Sequence, residues 1–144
     1  MNVEDMSGSF FAKRVKHLAE SIESAERNLL RSSSLGVKDF EVLKLAYAQQ
    51  APFLISPNQI LQEISITSGA LSTCLGRLAD KHLVLRLKAK HDQRSKPIQL
   101  TTKGRELVEQ LLPELENEYR KLFDGLESVS QEALLSLTEK LSTV

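Results

Sequence analysis

The chain has 144 residues, 41% hydrophobic and 26% charged, with equal numbers of basic and acidic side chains. Such a chain forms one globular domain large enough for a buried core. One cysteine, Cys74, excludes an internal disulfide and a cysteine-rich zinc site, and His17, His82 and His91 lack metal-ligand spacing. The sequence also lacks a membrane-length apolar run, a signal peptide, a glycine-rich phosphate loop and a G-x-S-x-G, which points to a cytoplasmic protein that is not an enzyme and needs no cofactor.

From Phe10 onward, Phe11, Val15, Leu18, Ile22, Ala25 and Leu29 step by four and three, the period of one helix face, until Ser32, Ser33, Ser34 and Gly36 break it. A second helix is predicted over about 38–49, with Phe40, Leu43 and Tyr47 on one side and Pro52 ending the segment. Phe53, Leu54 and Ile55 form a short extended piece. Ser56-Pro57-Asn58-Gln59 is a helix start, with a capping serine, a proline at the first helical position and a reciprocal glutamine. Thr67 caps a fourth helix running to about Lys81.

The period then changes. Leu83, Leu85 and Leu87 alternate with Val84, Arg86 and Lys88, a strand pattern, and residues 97–100 form a second short strand across a polar turn. Pro97 suits an exposed edge. Thr101 and Thr102 open a long helix carrying Val108, Leu111, Leu112, Leu115, Tyr119, Leu122 and Leu126 on one side, with a bend expected at Pro113. A last helix is predicted over about 131–142, capped by Ser130, with Leu134, Leu137 and Leu141 inward. The apolar stripes of residues 10–31 and 106–144 exceed what one thin monomer can bury, which favours a homodimer.

Two short helices joined by a tight turn match a helix-turn-helix, whose second helix enters the DNA major groove, and a basic hairpin follows. On that helix, Leu71, Leu75 and Leu78 share one face, and Gly69, Ser72, Thr73, Gly76, Arg77 and Asp80 lie opposite. Two glycines on an exposed helix face are poor helix formers, at about 1 kcal/mol each relative to alanine. They make sense where a groove must approach closely, with Arg77 reaching phosphate or guanine. An ordinary amphipathic helix is the plainer alternative. The net charge of zero also hides an asymmetry. Residues 77–105 carry nine Lys and Arg against Asp80 and Asp92, whereas residues 106–144 carry three against nine acids. Such a basic block suits either a polyanion contact or a solvated face paired with the acidic C-terminal helix.

The stretch from Ser56 to Gly104 resembles the MarR family of winged helix-turn-helix repressors. Its matching features are Ser68-Gly69-Ala70-Leu71-Ser72 with Arg77-Leu78, Leu83-Val84-x-Arg86, Asp92-x-Arg94-Ser95 and Leu100-Thr101-x-x-Gly104. The resemblance implies a mainly α fold with a two-stranded wing. Residues 1–36 and 102–144 would form a dimerisation region around a DNA-binding region at 37–101. It further implies a homodimer on double-stranded DNA at a pseudo-palindromic operator, released by a small aromatic effector bound between base and reading head. DNA contacts fall to Ser68, Gly69, Ser72, Thr73 and Arg77 on the reading helix and to Lys90, Arg94 and Lys96 on the wing. Asp92 would brace Arg94. A winged-helix module docking an acidic protein through the basic hairpin is the rival reading.

Three departures from the family's pattern involve four positions. Thr73-Cys74 stands where Asn-Arg is frequent, Gly76 replaces an Asp, and His82 replaces a Gly that permits positive φ after the reading helix. Cys74 reads as a small core filler, with an oxidant sensor as the alternative. Phe40 and Tyr47 read as core, with effector contact as the alternative, because the second helix often lines the family's cleft. His17 reads as solvated.

Overall fold

The computed structural model describes residues 7–88 and 96–142. The wing tip, with Lys90, Asp92 and Arg94, lies outside the described residues. The elements are α1 (Gly8–Leu30), a 3-10 turn (Arg31–Ser33), α2 (Val37–Tyr47), β1 (Leu54–Ile55), α3 (Pro57–Glu63), α4 (Ser68–Asp80), β2 (Val84–Arg86), β3 (Ile98–Leu100), α5 (Thr102–Phe123) and α6 (Ser128–Ser142).

The caps expected at Ser56 and Thr67 form, whereas the last helix starts at Ser128 and holds Ser130, expected as its cap, within its first turn. The Ser56 hydroxyl accepts from the Gln59 N–H at 3.2 Å, and the Gln59 side chain accepts from the Ser56 N–H at 2.9 Å. Thr67 caps α4 by accepting from the Ala70 N–H at 3.2 Å. Two helices end in the same way. The Leu35 N–H reaches the Leu30 carbonyl and the Ser34 N–H that of Arg31, with Ser34 at φ 53°. At the end of α4 the Leu83 N–H reaches Leu78 and the His82 N–H reaches Ala79, with His82 at φ 59°. Each is a left-handed closure that ties off orphan carbonyls, with a buried leucine pair across it.

The sheet has three strands in the order β1-β3-β2, both pairings antiparallel, with Ile55 opposite Ile98 and Val84 opposite Leu100. The extended piece at 53–55 thus becomes a third strand beside the expected hairpin. This moves Pro97 from the edge that the sequence suggested to the entrance of the central strand. There its carbonyl accepts from the Leu87 N–H, and its missing N–H precedes the ladder. The core gathers Val42 and Leu43 of α2, Ile60 of α3, Leu78 of α4, Ile98 of β3 and Val108 of α5, all fully buried. α5 runs through Pro113 as one element, anchored by buried Leu111 and Leu115 on either side.

α1 and α6 differ from the rest. Of α1 only Leu30 is buried, and of α6 nothing is. Leu137 and Leu141, expected inward, are exposed, because the single chain offers that face nothing to pack on. Leu134 instead lines a groove with Leu18, Ile22, Phe123, Leu126 and Leu135. No helix among the described residues is long and apolar enough to cross a membrane.

Candidate nucleic-acid interface

α4 packs Leu71, Cys74, Leu75 and Leu78 into the core and leaves Ser68, Gly69, Ser72 and Thr73 exposed on the other side. A Cβ added at Gly69 would meet no atom within 4 Å, so nothing in the chain's own packing requires glycine there. The Thr73 hydroxyl donates to the Gly69 carbonyl at 3.1 Å, which fixes its rotamer and leaves its oxygen able to accept. Lys96 is exposed at the stem of the wing.

Arg77 has a partner that sequence reasoning missed. Its Nη2 donates to Asp39 Oδ1 at 2.7 Å and its Nε to Oδ2 at 3.4 Å. Asp39 is 2% exposed, the one buried charged or polar residue among those described. It also accepts from the Gly36 N–H at 2.9 Å, capping the start of α2. Burial pushes its pKa up. Hydrogen bonds from Arg77, the Gly36 N–H and the Cys74 thiol outweigh this and hold it below the ordinary carboxylate value. The hydrogen bond to Asp39 and its negative charge raise the pKa of Arg77. One buried carboxylate therefore ties the reading helix to α2, while half of the Arg77 side chain stays in solvent. The only local sign of Asp39 in the sequence is an acid three residues after Gly36 at a helix start. A partner 38 residues away leaves no periodic signal.

Cys74 is 1% exposed, and burial followed by the adjacent Asp39 carboxylate pushes its thiol up to about 12. A thiol so placed holds little of the reactive thiolate, which agrees with the core-filler reading. His17 is exposed on α1. Phe40 is 2% exposed in the core, with Lys44 Nζ over its ring at 5.5 Å. Tyr47 is half-buried and stacks on Phe53 with ring centroids 6.3 Å apart. Neither lines the cavity of about 610 Å³ between α1 and α2, which is bordered by Ile22, Glu26, Val37, Asp39 and Arg77.

The far end of α4 is held by α5. The Thr101 hydroxyl donates toward the carbonyls of His82 at 2.7 Å and Leu83 at 3.0 Å while accepting from the Gly104 N–H. Lys103 Nζ donates to the Lys81 carbonyl at 3.0 Å. A Cβ at Gly104 would stand 2.2 Å from the Leu83 carbonyl oxygen, so only glycine permits this approach. The motif Leu100-Thr101-x-x-Gly104 is thus the seam between the reading helix and the long helix. Position 82 adopts the left-handed conformation for which the family's glycine is suited, here with histidine.

Comparison with known proteins agrees with this architecture. No family model matches the chain. It is 32% identical over 122 residues to the HTH-type transcriptional regulator PecS of Dickeya dadantii, covering 83% of this chain and 74% of the relative. The chain belongs to the MarR family. Among solved structures it is similar to BpsR of Bordetella bronchiseptica, whose DNA binding is regulated by 6-hydroxynicotinic acid (TM-score 0.80, 22% identity, 92% of this chain and 98% of that one). It is also similar to S. aureus MepR bound to DNA (TM-score 0.79, 24% identity, 97% and 100%) and to E. coli MarR complexed with operator DNA (TM-score 0.78, 23% identity, 90% and 91%). At these identities the structures establish the winged-helix fold. As a MarR-family protein the chain is a DNA-binding transcriptional regulator, which decides against the protein-docking reading of the basic wing.

Proposed function

We propose that this MarR-family chain is a cytoplasmic repressor acting as a homodimer on a pseudo-palindromic operator, by binding rather than by catalysis. α4 lies in the major groove with Ser68, Gly69, Ser72 and Thr73 toward base edges and phosphates. Arg77 is partly occupied by Asp39 and contacts DNA with its exposed half. Lys96, together with Lys90 and Arg94, makes backbone or minor-groove contacts from the wing, and Asp92 braces Arg94. Residues 1–36 and 102–144 supply the dimer base, for which the exposed apolar faces of α1 and α6 are suited.

The observation that carries the reading is Gly69. α4 bears in its first turn a residue that forms helix less readily than alanine, at a position where a side chain would meet open space. Such a cost has a use when another molecule lies against that surface. Gly69→Ala is therefore expected to raise thermal stability and weaken binding. Selection of bound sites from random duplexes tests the reading: it should return a two-fold-related sequence, bound with steep salt dependence. Absence of duplex binding at every salt concentration would overturn it.

A small aromatic effector is proposed for the cavity beside Asp39 and Arg77 rather than for Phe40 and Tyr47. A ligand wedged between α1 and α2 there bears directly on the buried carboxylate that fixes α4.

A further inference from the structure

A second cation lies along the reading helix. Arg86 of β2 donates from Nη2 to the Ser72 carbonyl of α4 at 3.1 Å, across a gap of fourteen residues in sequence. That carbonyl faces the step where Gly76 has no side chain, and a Cβ built at Gly76 would stand 3.8 Å from the same Nη2. The guanidinium is thus laid on the helix, with one of its five N–H donors engaged among the described residues. It borders a cavity of about 410 Å³ between α3, α4 and the stem of the wing. Lys96 stands on the rim with Arg86, the polar groups of Asn58, Ser68 and Ser72 are also there, and Leu71 is part of the floor. Among the described residues no carboxylate lines it, although two cavities beside α1 carry several.

We propose that this cavity is the seat of one DNA backbone phosphate per half-site, with Arg86 as its principal cation and Lys96 as the second. The proposal rests on the DNA-binding reading above and adds a residue and a ligand group to it. Two cations that no carboxylate opposes among the described residues, with hydroxyl and amide donors, match a phosphate, which needs several donors and no acceptors. Arg86 is moored to a helix carbonyl, so its fork is not free to swing into a bidentate pairing with a base edge. A lysine acts on phosphate as a point charge. The contact is therefore independent of base sequence. It also supplies a cation to a reading helix that carries Thr73 and Cys74 in mid-length.

The test is a salt titration of the full-length protein on its selected duplex and on a random duplex of equal length, between about 50 and 200 mM salt. Arg86→Ala should reduce the magnitude of the log–log salt slope by about 1 per half-site, about 2 for a dimer. Affinity should fall by the same factor on both duplexes. Arg86→Lys should restore the slope, because it restores the charge. Gly76→Asp, which leaves Arg86 in place and sets a carboxylate beside it, should lower the slope as Arg86→Ala does. If Arg86→Ala weakens binding at an unchanged slope, Arg86 only braces α4 through Ser72 and the proposal is overturned. Loss of affinity confined to the selected duplex would make it a base contact, with the same consequence. Should Arg86→Ala unfold, Gly76→Asp carries the decision: an unchanged slope in that variant overturns the phosphate seat. Failure of the wild type to bind either duplex would overturn the DNA reading itself, a result distinguishable from all of these.

Discussion

Replacing Gly104 by alanine tests the seam between the reading helix and the long helix. The added methyl would stand 2.2 Å from the Leu83 carbonyl oxygen and 2.7 Å from Leu100 Cδ1. The leucine methyl can turn aside, but the carbonyl oxygen belongs to the backbone and cannot. Relief requires the first turn of α5 to lift by about 1 Å, which stretches the Thr101 bonds to the His82 and Leu83 carbonyls. Overpacking of this kind costs about 1–3 kcal/mol, and each weakened hydrogen bond adds about 1 kcal/mol. Alanine returns about 1 kcal/mol through its better helix propensity. The net loss is about 2–4 kcal/mol, or a fall in Tm of roughly 5–15 °C for a domain of this size. Calorimetry at one fixed protein concentration measures it, since association shifts apparent stability. Gly125→Ala is the control, because a Cβ there meets nothing within 4 Å. A Tm for Gly104→Ala equal to or above that of wild type would refute the reasoning.

Three other outcomes are expected. His82→Gly should raise the urea midpoint by about 0.5–1 kcal/mol of stability, since the left-handed strain it removes exceeds the entropy that glycine adds; His82→Ala should not, and a lower midpoint for the glycine variant would contradict this. The stabilising contribution of Asp39, whose folded pKa is depressed, is fully present above the unfolded value near 3.8 and is lost as pH falls through the folded value. Urea unfolding from about pH 5 to pH 2 should therefore show wild type losing more stability than Asp39→Asn, and parallel curves would rule the linkage out. Cys74, with its thiol pushed up to about 12, should resist a disulfide reagent at pH 8 until urea is added, and peroxide should not release the protein from DNA; release of wild type but not of Cys74→Ser would show the thiol to be a sensor.

The sequence by itself determined whatever local chemistry dictates. The Ser56–Gln59 and Thr67 caps, the change from helical to strand period at Leu83, and the apolar faces of α2, α4 and α5 all depend on neighbours within a few residues. The exposed side of α4 with Gly69, Ser72 and Thr73 was legible because glycine and hydroxyls on one helix side run against propensity. The demand for positive φ at His82 was legible only through the family's pattern. Tertiary structure alone decided the rest. β1 joined the sheet because β3 offered it a free edge, a pairing across more than forty residues that no periodicity records. Leu137 and Leu141 lie four apart as a helix's core face would, and are exposed because burial depends on what lies opposite. Arg77 looked like a free cation, and Asp39 like an ordinary acid at a helix start. Only the packing of α2 against α4 brings them to 2.7 Å, in a site where burial makes an unpaired carboxylate costly.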